Sequence, residues 1–390
     1  MAERTECPEH IIMLMLDALR PDYLTIYEPP HLQRLLREGT WVAEARSVFP
    51  STTTTNQTSF VTGSLPARTG IPNNSRYDRQ TDAIVTRLRD NRCPTIAEVV
   101  RAYGWSSASV SHFMLENRGV DQYLQGDMDN LIDLLASDTP NLAVLYHSDI
   151  DSVGHRYGPF SPQMREAVTH IDGRIGQMLA LLERNNLSHN TVVVVASDHG
   201  MVPNDGAPVL PELLAVVDRL NLRVAFDTSQ IGVDTELVAL QFGASFLYWR
   251  PHMRHPEREK QVVEALSSVA GLDVLLADDI RALGSDPELV GDIVLSPREG
   301  WQITPASRPG GIHGTQAASR STMLFWGPGV RQGHVIHRAC ITDIAPTLLS
   351  MVGMPVPESV DGSVLHEAFV TPAERPTAAV RDVAAARQTE

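Results

Sequence analysis

Three short apolar runs, each ending in residues able to bind a ligand, constrain the fold of this chain most strongly. They are HIIMLMLD from His10, NLAVLYHSDID from Asn141 and TVVVVASDH from Thr191. Each run is continuously apolar, which is typical of strands buried on both faces of a sheet. Helical patterns lie between the runs, the clearest beginning at Ser161 and Pro162. This alternation predicts a three-layer α/β/α fold with a mostly parallel, doubly wound sheet.

The stretch from residue 205 to residue 301 interrupts the alternation. It contains the strand-like segments ELVALQFGASFLYWR and GDIVLS, and the helical segment REKQVVEALSSVAGL. We expect it to form a smaller α+β subdomain inserted into a catalytic core of residues 8–204 and 302–370. Residues 371–390 are predicted to be a peripheral tail.

Charge and cysteine content restrict the partners and the compartment. The net charge of −15 argues against binding to nucleic-acid polymers or anionic membranes. No apolar run approaches the ~20 residues of a membrane span. The N-terminus lacks a signal-peptide pattern, and the three scattered cysteines include no CxxC motif, so we predict a cytoplasmic location. The sequence leaves the oligomeric state open.

Carboxylates and imidazoles are concentrated where the predicted strands end, the edge of such a sheet at which functional groups gather. Six residues make up this set: Asp17, Asp151, His155, Asp198, His199 and His313. Taken singly, each is as well explained by a helix cap or a surface loop. Taken together, they supply enough ligands for two divalent ions, which can activate a nucleophile and stabilise a leaving oxygen in phosphoryl transfer.

The order of these residues around the segment SVFPSTTTTNQTSFVTG resembles the alkaline phosphatase superfamily. The nucleotide pyrophosphatase/phosphodiesterase group is the most similar, and the phosphonoacetate hydrolases share the pattern. In that group the nucleophilic threonine lies eight residues before the valine of VTG, and an asparagine follows three residues later. Since VTG begins at Val61, the resemblance implies Thr53 as the nucleophile. It also implies that Asn56 donates to a non-bridging oxygen in the transition state.

The resemblance also implies a ligand set for two divalent metal ions. One ion would be held by Asp151, His155 and His313, and the other by Asp17, Asp198, His199 and the Thr53 oxygen. Zinc is the metal implied, and Mn²⁺ or Fe suits the same donors. Metal coordination would make the Thr53 alkoxide available at neutral pH. The expected reaction is therefore a double displacement through a phospho-threonine intermediate.

The expected substrate is a small phosphorylated molecule with a phosphate diester or pyrophosphate-type bond. Three carboxylates and an alkoxide roughly balance two divalent ions, which favours a diester monoanion over a monoester dianion. The resemblance implies that Tyr146 stacks on a nucleotide base, although Thr54 occupies the position of the second stacking aromatic. Arg76 and Arg79 are candidate substrate contacts. Phosphonoacetate hydrolase-like activity, phosphomonoesterase activity and an inactive metal- or phosphate-binding scaffold stay open as alternatives.

Overall fold

A computed structural model of the chain describes residues 7–307 and 309–370, so the predicted tail at 371–390 lies outside the described residues. The strands are β1 His10–Leu16, β2 Thr40–Arg46, β3 Ser75–Asp78, β4 Ala83–Thr86, β5 Ser107–Val110, β6 Gln122–Leu124, β7 Leu142–His147, β8 Thr191–Ala196, β9 Val202–Pro203, β10 Ala207–Pro208, β11 Val224–Ala225, β12 Leu237–Phe242, β13 Ala244–Trp249, β14 Leu272–Leu275, β15 Ile293–Pro297, β16 Trp301–Gln302, β17 Gly311–Ile312, β18 Arg320–Ser321, β19 Met323–Trp326 and β20 His334–Cys340. The α-helices are α1 Tyr23–Ile26, α2 Pro30–Glu38, α3 Thr53–Thr62, α4 Pro66–Thr69, α5 Ile96–Ala102, α6 Met128–Ser137, α7 Asp149–Tyr157, α8 Pro162–Arg184, α9 Leu210–Arg219, α10 Pro256–Ser267, α11 Ala277–Ala282, α12 Pro287–Val290 and α13 Ile344–Met351.

The central sheet has the strand order β18-β2-β19-β8-β1-β7-β5-β6, and β20 pairs with β2. The three apolar runs form its centre, where β1 lies parallel to both β7 and β8. The strands β5, β6 and β20 also pair in parallel, whereas β18 and β19 pair antiparallel with their neighbours. The prediction of a mostly parallel α/β sheet is therefore confirmed.

Helices cover both faces of this sheet, because alternate residues of β1 enter two different cores. Ile11, Met13 and Met15 pack in a cluster that also receives side chains from α3, α5 and α13. Ile12 and Leu14 belong to the opposite cluster, which includes side chains from α2, α6 and α8. Burial on both faces explains why the strand sequences are continuously apolar.

A second sheet, of order β11-β12-β13-β15-β14, lies within the region 205–301 that we expected to form a subdomain. One of its faces packs against α9 and α10 through residues such as Val216 and Val262. Its other face packs against Phe49, Tyr77 and the helices α11 and α12. The limits of the subdomain stay a prediction. Among the described residues, no helix combines the length and apolar character that crossing a membrane requires.

The register of the central strands determines where the functional residues meet. Leu16 pairs with His147, and Met15 pairs with Ala196. The chain segments that leave β1, β7 and β8 therefore emerge side by side at one edge of the sheet. Asp17 is the first residue after β1 and stands at this edge.

Candidate active site

Each segment at this edge contributes ligand-capable side chains. Asp198 follows β8 after a single serine, and His199 is its neighbour. Asp151 and His155 both belong to α7, the helix that follows β7, and their spacing of four residues places them on one helix face. His313 comes directly after β17, in a loop that returns toward the same edge.

Three of the predicted residues lie around Nε2 of a fourth, His199. Nε2 of His199 lies 3.3 Å from Oδ1 of Asp17 and 3.8 Å from Oδ2 of Asp198. The hydroxyl of Thr53 lies 3.3 Å from the same nitrogen. The structure therefore brings together the group that the resemblance assigned to the second of the two ions.

The other three residues form an adjacent group. Oδ1 of Asp151 lies 3.4 Å from Nε2 of His155 and 3.7 Å from Nε2 of His313. The rings of His199 and His313 stack with their centroids 3.7 Å apart, so the two groups are in contact. Ligand atoms of Asp151, His155 and His313 all lie within 4.8 Å of one another, and so do those of Asp17, Asp151 and His199. We call these seven residues, Thr53 included, the ligand cluster.

The main chain orients all three histidines in the same way. The Nδ1 atom of His155 lies 2.9 Å from the carbonyl oxygen of Gly311. That of His199 lies 2.9 Å from the carbonyl oxygen of Gly200, and that of His313 lies 3.0 Å from the carbonyl oxygen of Ser51. A carbonyl accepts only, so each Nδ1 carries the proton and each Nε2 presents a lone pair to the cluster. This is the usual arrangement of metal-binding histidines.

Within the described residues, each of the three aspartates keeps one buried oxygen without a hydrogen bond. These atoms are Oδ1 of Asp17, Oδ1 of Asp151 and Oδ2 of Asp198. Buried polar atoms are nearly always paired, so three orphaned carboxylate oxygens in one cluster indicate a missing partner of positive charge. The donor set of carboxylate oxygens and imidazole nitrogens suits divalent ions such as Zn²⁺.

Burial sets the protonation of the cluster. It raises the pKa of Asp17 well above its ordinary value, and the charges of Asp198 and Asp151 raise it further. It raises the pKa of Asp198 to about 6 and lowers the pKa of His199 and His313 to about 3. His199 and His313 are therefore neutral at pH 7, and the buried carboxylates need cations to be fully charged.

Thr53 is the first residue of α3, and Thr52 is its N-cap. The hydroxyl of Thr52 is buried and bonds to that of Thr55 at 3.1 Å. Of the four consecutive threonines, Thr53 is the one whose hydroxyl forms a hydrogen bond with the ligand cluster in the described structure. The geometry therefore agrees with the register that the resemblance indicated.

The predicted role of Asn56 needs correction. Its Nδ2 donates to the carbonyls of Val48, Pro50 and Thr52, and its Oδ1 accepts from the amide of Val48 at 2.7 Å. The residue is fully buried, so its side chain has no free donor for a substrate oxygen. Asn56 instead holds the loop that leads to Thr53.

Asn74 is the amide beside the nucleophile that the sequence analysis missed. Its Oδ1 accepts from the backbone amide of Thr54 at 3.0 Å, which places the side chain next to Thr53. Its Nδ2 forms no hydrogen bond within the described part of the chain, and the residue is partly exposed. Asn74 belongs to the stretch NNSRYD, residues 73–78, and the sequence pattern does not distinguish its two asparagines.

The remaining predicted substrate contacts differ in their placement. Tyr146 lies at the cluster and donates its hydroxyl proton to Asp17. Arg79 is not brought there, because its guanidinium pairs at 2.7 Å with Asp292, the residue that precedes β15. Arg76 lies 4.0 Å from the carboxylate of Asp90 and likewise forms no contact with the ligand cluster in the described residues.

The second sheet supports the loop that carries His313. The turn between β12 and β13 contains Gly243, and a Cβ at this position would overlap the carbonyl of His313. Likewise, a Cβ on Gly314 would overlap the carbonyl oxygen of Phe242. Both glycines have positive φ, of 79° and 88°, so neither position suits another residue. The two turns therefore pack backbone against backbone.

Comparisons with known proteins agree with this geometry. The sequence profile of the family described as type I phosphodiesterase / nucleotide pyrophosphatase matches residues 11–114 and 100–318. The bis(5'-adenosyl)-triphosphatase of Homo sapiens is 28% identical over 398 residues, which cover 92% of this chain and 81% of that protein. The Bos taurus protein of the same name is 27% identical over the same shares.

Solved structures show the same fold. Murine ectonucleotide pyrophosphatase/phosphodiesterase 5 matches with a TM-score of 0.75 at 20% identity, covering 93% of this chain and 100% of that one. An inactive threonine-to-alanine variant of that protein, in complex with AMP, matches with a TM-score of 0.74 at the same identity and coverage.

Proposed function

Because this chain belongs to the type I phosphodiesterase / nucleotide pyrophosphatase family, we propose that it hydrolyses a small nucleotide-type diester or pyrophosphate at two zinc ions. The observation that carries this proposal is the contact between the Thr53 hydroxyl and His199, within a cluster that holds three orphaned carboxylate oxygens. All seven residues expected of an active enzyme are present, which argues against an inactive scaffold.

The reaction starts at Thr53. Its oxygen displaces the leaving alcohol or phosphate from phosphorus, and water then hydrolyses the phospho-threonine to restore the hydroxyl. When bound, divalent ions supply the positive charge that lowers the pKa of this hydroxyl and stabilises the leaving oxygen. The free Nδ2 of Asn74 is the side-chain donor placed to hold a non-bridging phosphate oxygen.

Charge supports a diester over a monoester. No lysine or arginine of the described residues forms a hydrogen bond or an ion pair with any member of the ligand cluster. The second negative charge of a monoester would therefore find no cation beyond the two metal ions, whose charge the three carboxylates and the alkoxide already balance.

A nucleotide-type substrate is supported by the surroundings of Tyr146. Its ring is partly exposed, packs edge-on against Phe113 with centroids 5.6 Å apart, and lines a cleft of about 900 Å³. An aromatic ring beside the metal ligands offers a stacking surface for a base. The similar proteins include a triphosphatase of bis(5'-adenosyl) substrates and a structure in complex with AMP.

Metal identity and location belong to the same proposal. Zinc is supported by the mixture of aspartate and histidine donors. A cytoplasmic location rests on the three cysteines, which are all free in the structure.

The test is a comparison of rates on one preparation whose metal content is measured. The substrates are bis(p-nitrophenyl) phosphate, a p-nitrophenyl ester of thymidine 5′-phosphate, diadenosine triphosphate, p-nitrophenyl phosphate and phosphonoacetate. We expect the diesters and the dinucleotide to be cleaved faster than the monoester, with two zinc ions per chain. The Thr53→Ala protein, purified identically, controls for contaminating phosphatases. Faster hydrolysis of phosphonoacetate, or two bound ions without any turnover, would overturn the proposal.

A further inference from the structure

A second cleft, of about 640 Å³, lies between the catalytic core and the inserted region. Its lining includes Gly200 and Met201, which follow His199, and Thr315, which comes two residues after His313. No residue of the ligand cluster lines it. The cleft is therefore distinct from the one that Tyr146 lines, although its walls include the loops that carry two of the metal ligands.

Two arginines are held side by side on the wall of this cleft. Arg46 ends β2, Arg320 begins β18, and the two are directly opposed in the antiparallel pair. Both line the cleft. Side chains opposed in this way lie on one face of the sheet with Cβ atoms about 5 Å apart, and like charges so placed repel each other.

Nothing in the described structure neutralises this pair. Arg46 donates to the hydroxyl of Ser319 at 3.1 Å, and Arg320 forms no side-chain hydrogen bond or ion pair within the described residues. The other arginines of the cleft are matched, since Arg20 pairs with Asp22 at 2.6 Å and Arg298 with Asp273 at 2.7 Å.

Both arginines are exposed, and neither pairs with a carboxylate of the described residues, although Asp205 and Glu299 line the same cleft. The chain has 47 acidic and 32 basic residues, so carboxylates are in excess. A cross-strand arginine pair that finds no carboxylate in such a chain has the charge and geometry to bind an anion from solution. Two guanidinium groups match a phosphate particularly well, because each can donate two parallel hydrogen bonds.

The other residues that line the cleft restrict the part of a ligand that extends beyond its phosphate group. Phe160, whose side chain is exposed, and the partly buried Trp301 provide aromatic surface in the same cleft. The part of the wall that the inserted region contributes carries Asp205 and Glu299. These carboxylates disfavour a ligand that is anionic along its whole length.

We propose that this cleft is a second binding site, which takes a small molecule bearing one phosphate group between Arg46 and Arg320. Inorganic phosphate and a nucleoside monophosphate both carry such a phosphate group. The aromatic side chains of Phe160 and Trp301 provide contacts only for the nucleoside monophosphate. The proposal does not depend on the hydrolytic activity, since it concerns residues outside the ligand cluster.

The test is calorimetric titration of the metal-loaded full chain with inorganic phosphate and, separately, with AMP. We expect two equivalents to bind each wild-type chain, one at the metal centre and one in the cleft. The Arg46→Gln/Arg320→Gln protein should lose the second equivalent or bind it at least about tenfold more weakly, and keep the first. Arg298→Gln is the matched control, because it removes an arginine of the same cleft that already has a carboxylate partner.

Two outcomes would overturn the proposal: a single equivalent in the wild type, or a second equivalent that persists unchanged in the double variant. If the double variant fails to fold, Arg320→Gln alone gives the same test. Tighter binding of AMP than of phosphate at the second site, reversed by Phe160→Ala, would identify the nucleoside monophosphate as the ligand. Equal binding would identify inorganic phosphate. Loss of the first equivalent or of hydrolysis bears on the metal centre alone.

Discussion

The hydroxyl of Tyr146 donates a 2.6 Å hydrogen bond to Oδ2 of Asp17. This bond leaves Oδ1 of the same carboxylate directed at His199, 3.3 Å from its Nε2. Tyr146 is thus positioned to orient a metal ligand in addition to offering its ring to a substrate. Partners of this kind usually contribute strongly to metal affinity.

Replacement of Tyr146 by phenylalanine should therefore weaken metal binding while keeping the ring. We expect the affinity of the ion held by Asp17 to fall about 10- to 100-fold, as measured by competition with a chelator. Tyr23→Phe is the matched control, since the hydroxyl of Tyr23 is buried without a hydrogen-bond partner. Equal affinities in the two variants would show that the bond to Asp17 does not orient the ligand.

Thr53→Ala should abolish turnover, with a loss of at least about 10³-fold in kcat, because no other hydroxyl of the threonine run bonds to the cluster. Metal content should stay close to that of the wild type, since three other side chains hold the same ion. Thr54→Ala serves as the control and should retain most activity, because it keeps the backbone amide that donates a hydrogen bond to Asn74. Substantial turnover in Thr53→Ala would shift the nucleophile to a neighbouring threonine.

The two asparagines should respond oppositely to truncation. Asn56→Ala removes four hydrogen bonds from a fully buried group, and we expect the free energy of unfolding to fall by about 2–4 kcal/mol. Asn74→Ala should leave the melting temperature almost unchanged and lower kcat/KM by about 10²-fold, as loss of a transition-state donor does. Denaturant melts and steady-state kinetics on both proteins decide this; a reversal of the two phenotypes would restore the original assignment of Asn56.

Metal affinity should fall on acidification, beginning near pH 6. In the metal-free fold the pKa of Asp198 is raised to about 6 by burial, so below that pH a divalent ion must displace a proton from this ligand. Below that pH, competition with the Asp198 proton should lower the metal affinity about tenfold per pH unit. The drop should be steeper if Asp17 also releases a proton. His199 and His313, with pKa values lowered to about 3, stay neutral over the same range and do not compete. Chelator titrations between pH 5 and pH 8 measure the slope; a constant affinity would contradict the raised pKa.

The parts of the site that follow strands could be predicted from the sequence. Asp17 and Asp198 come at the ends of short apolar runs. The carboxyl ends of neighbouring parallel strands lie at one edge of the sheet, whatever the conformation of the loops that follow. The position of Thr53 was implied by the family resemblance, through its spacing to Val61, and both residues lie in one helix.

The parts that depend on contacts between distant segments could not. Asn56 satisfies carbonyls of the loop from Val48 to Thr52, and the path of that loop is not encoded in its residue types. Arg79 pairs with Asp292, which lies 213 residues further along the chain, just before β15. The local sequence pattern gives no indication of a partner that lies so far away along the chain.

The contact between Gly243 and Gly314 has a consequence for how this architecture can diverge. Because the turn between β12 and β13 presses against the backbone beside His313, the second sheet and the third ligand of one ion cannot be exchanged independently. A descendant that exchanges the insertion for an unrelated domain must also supply a new backbone surface at this point. Variation in specificity is therefore easier to reach through the outer strands and helices of the insertion than through its replacement.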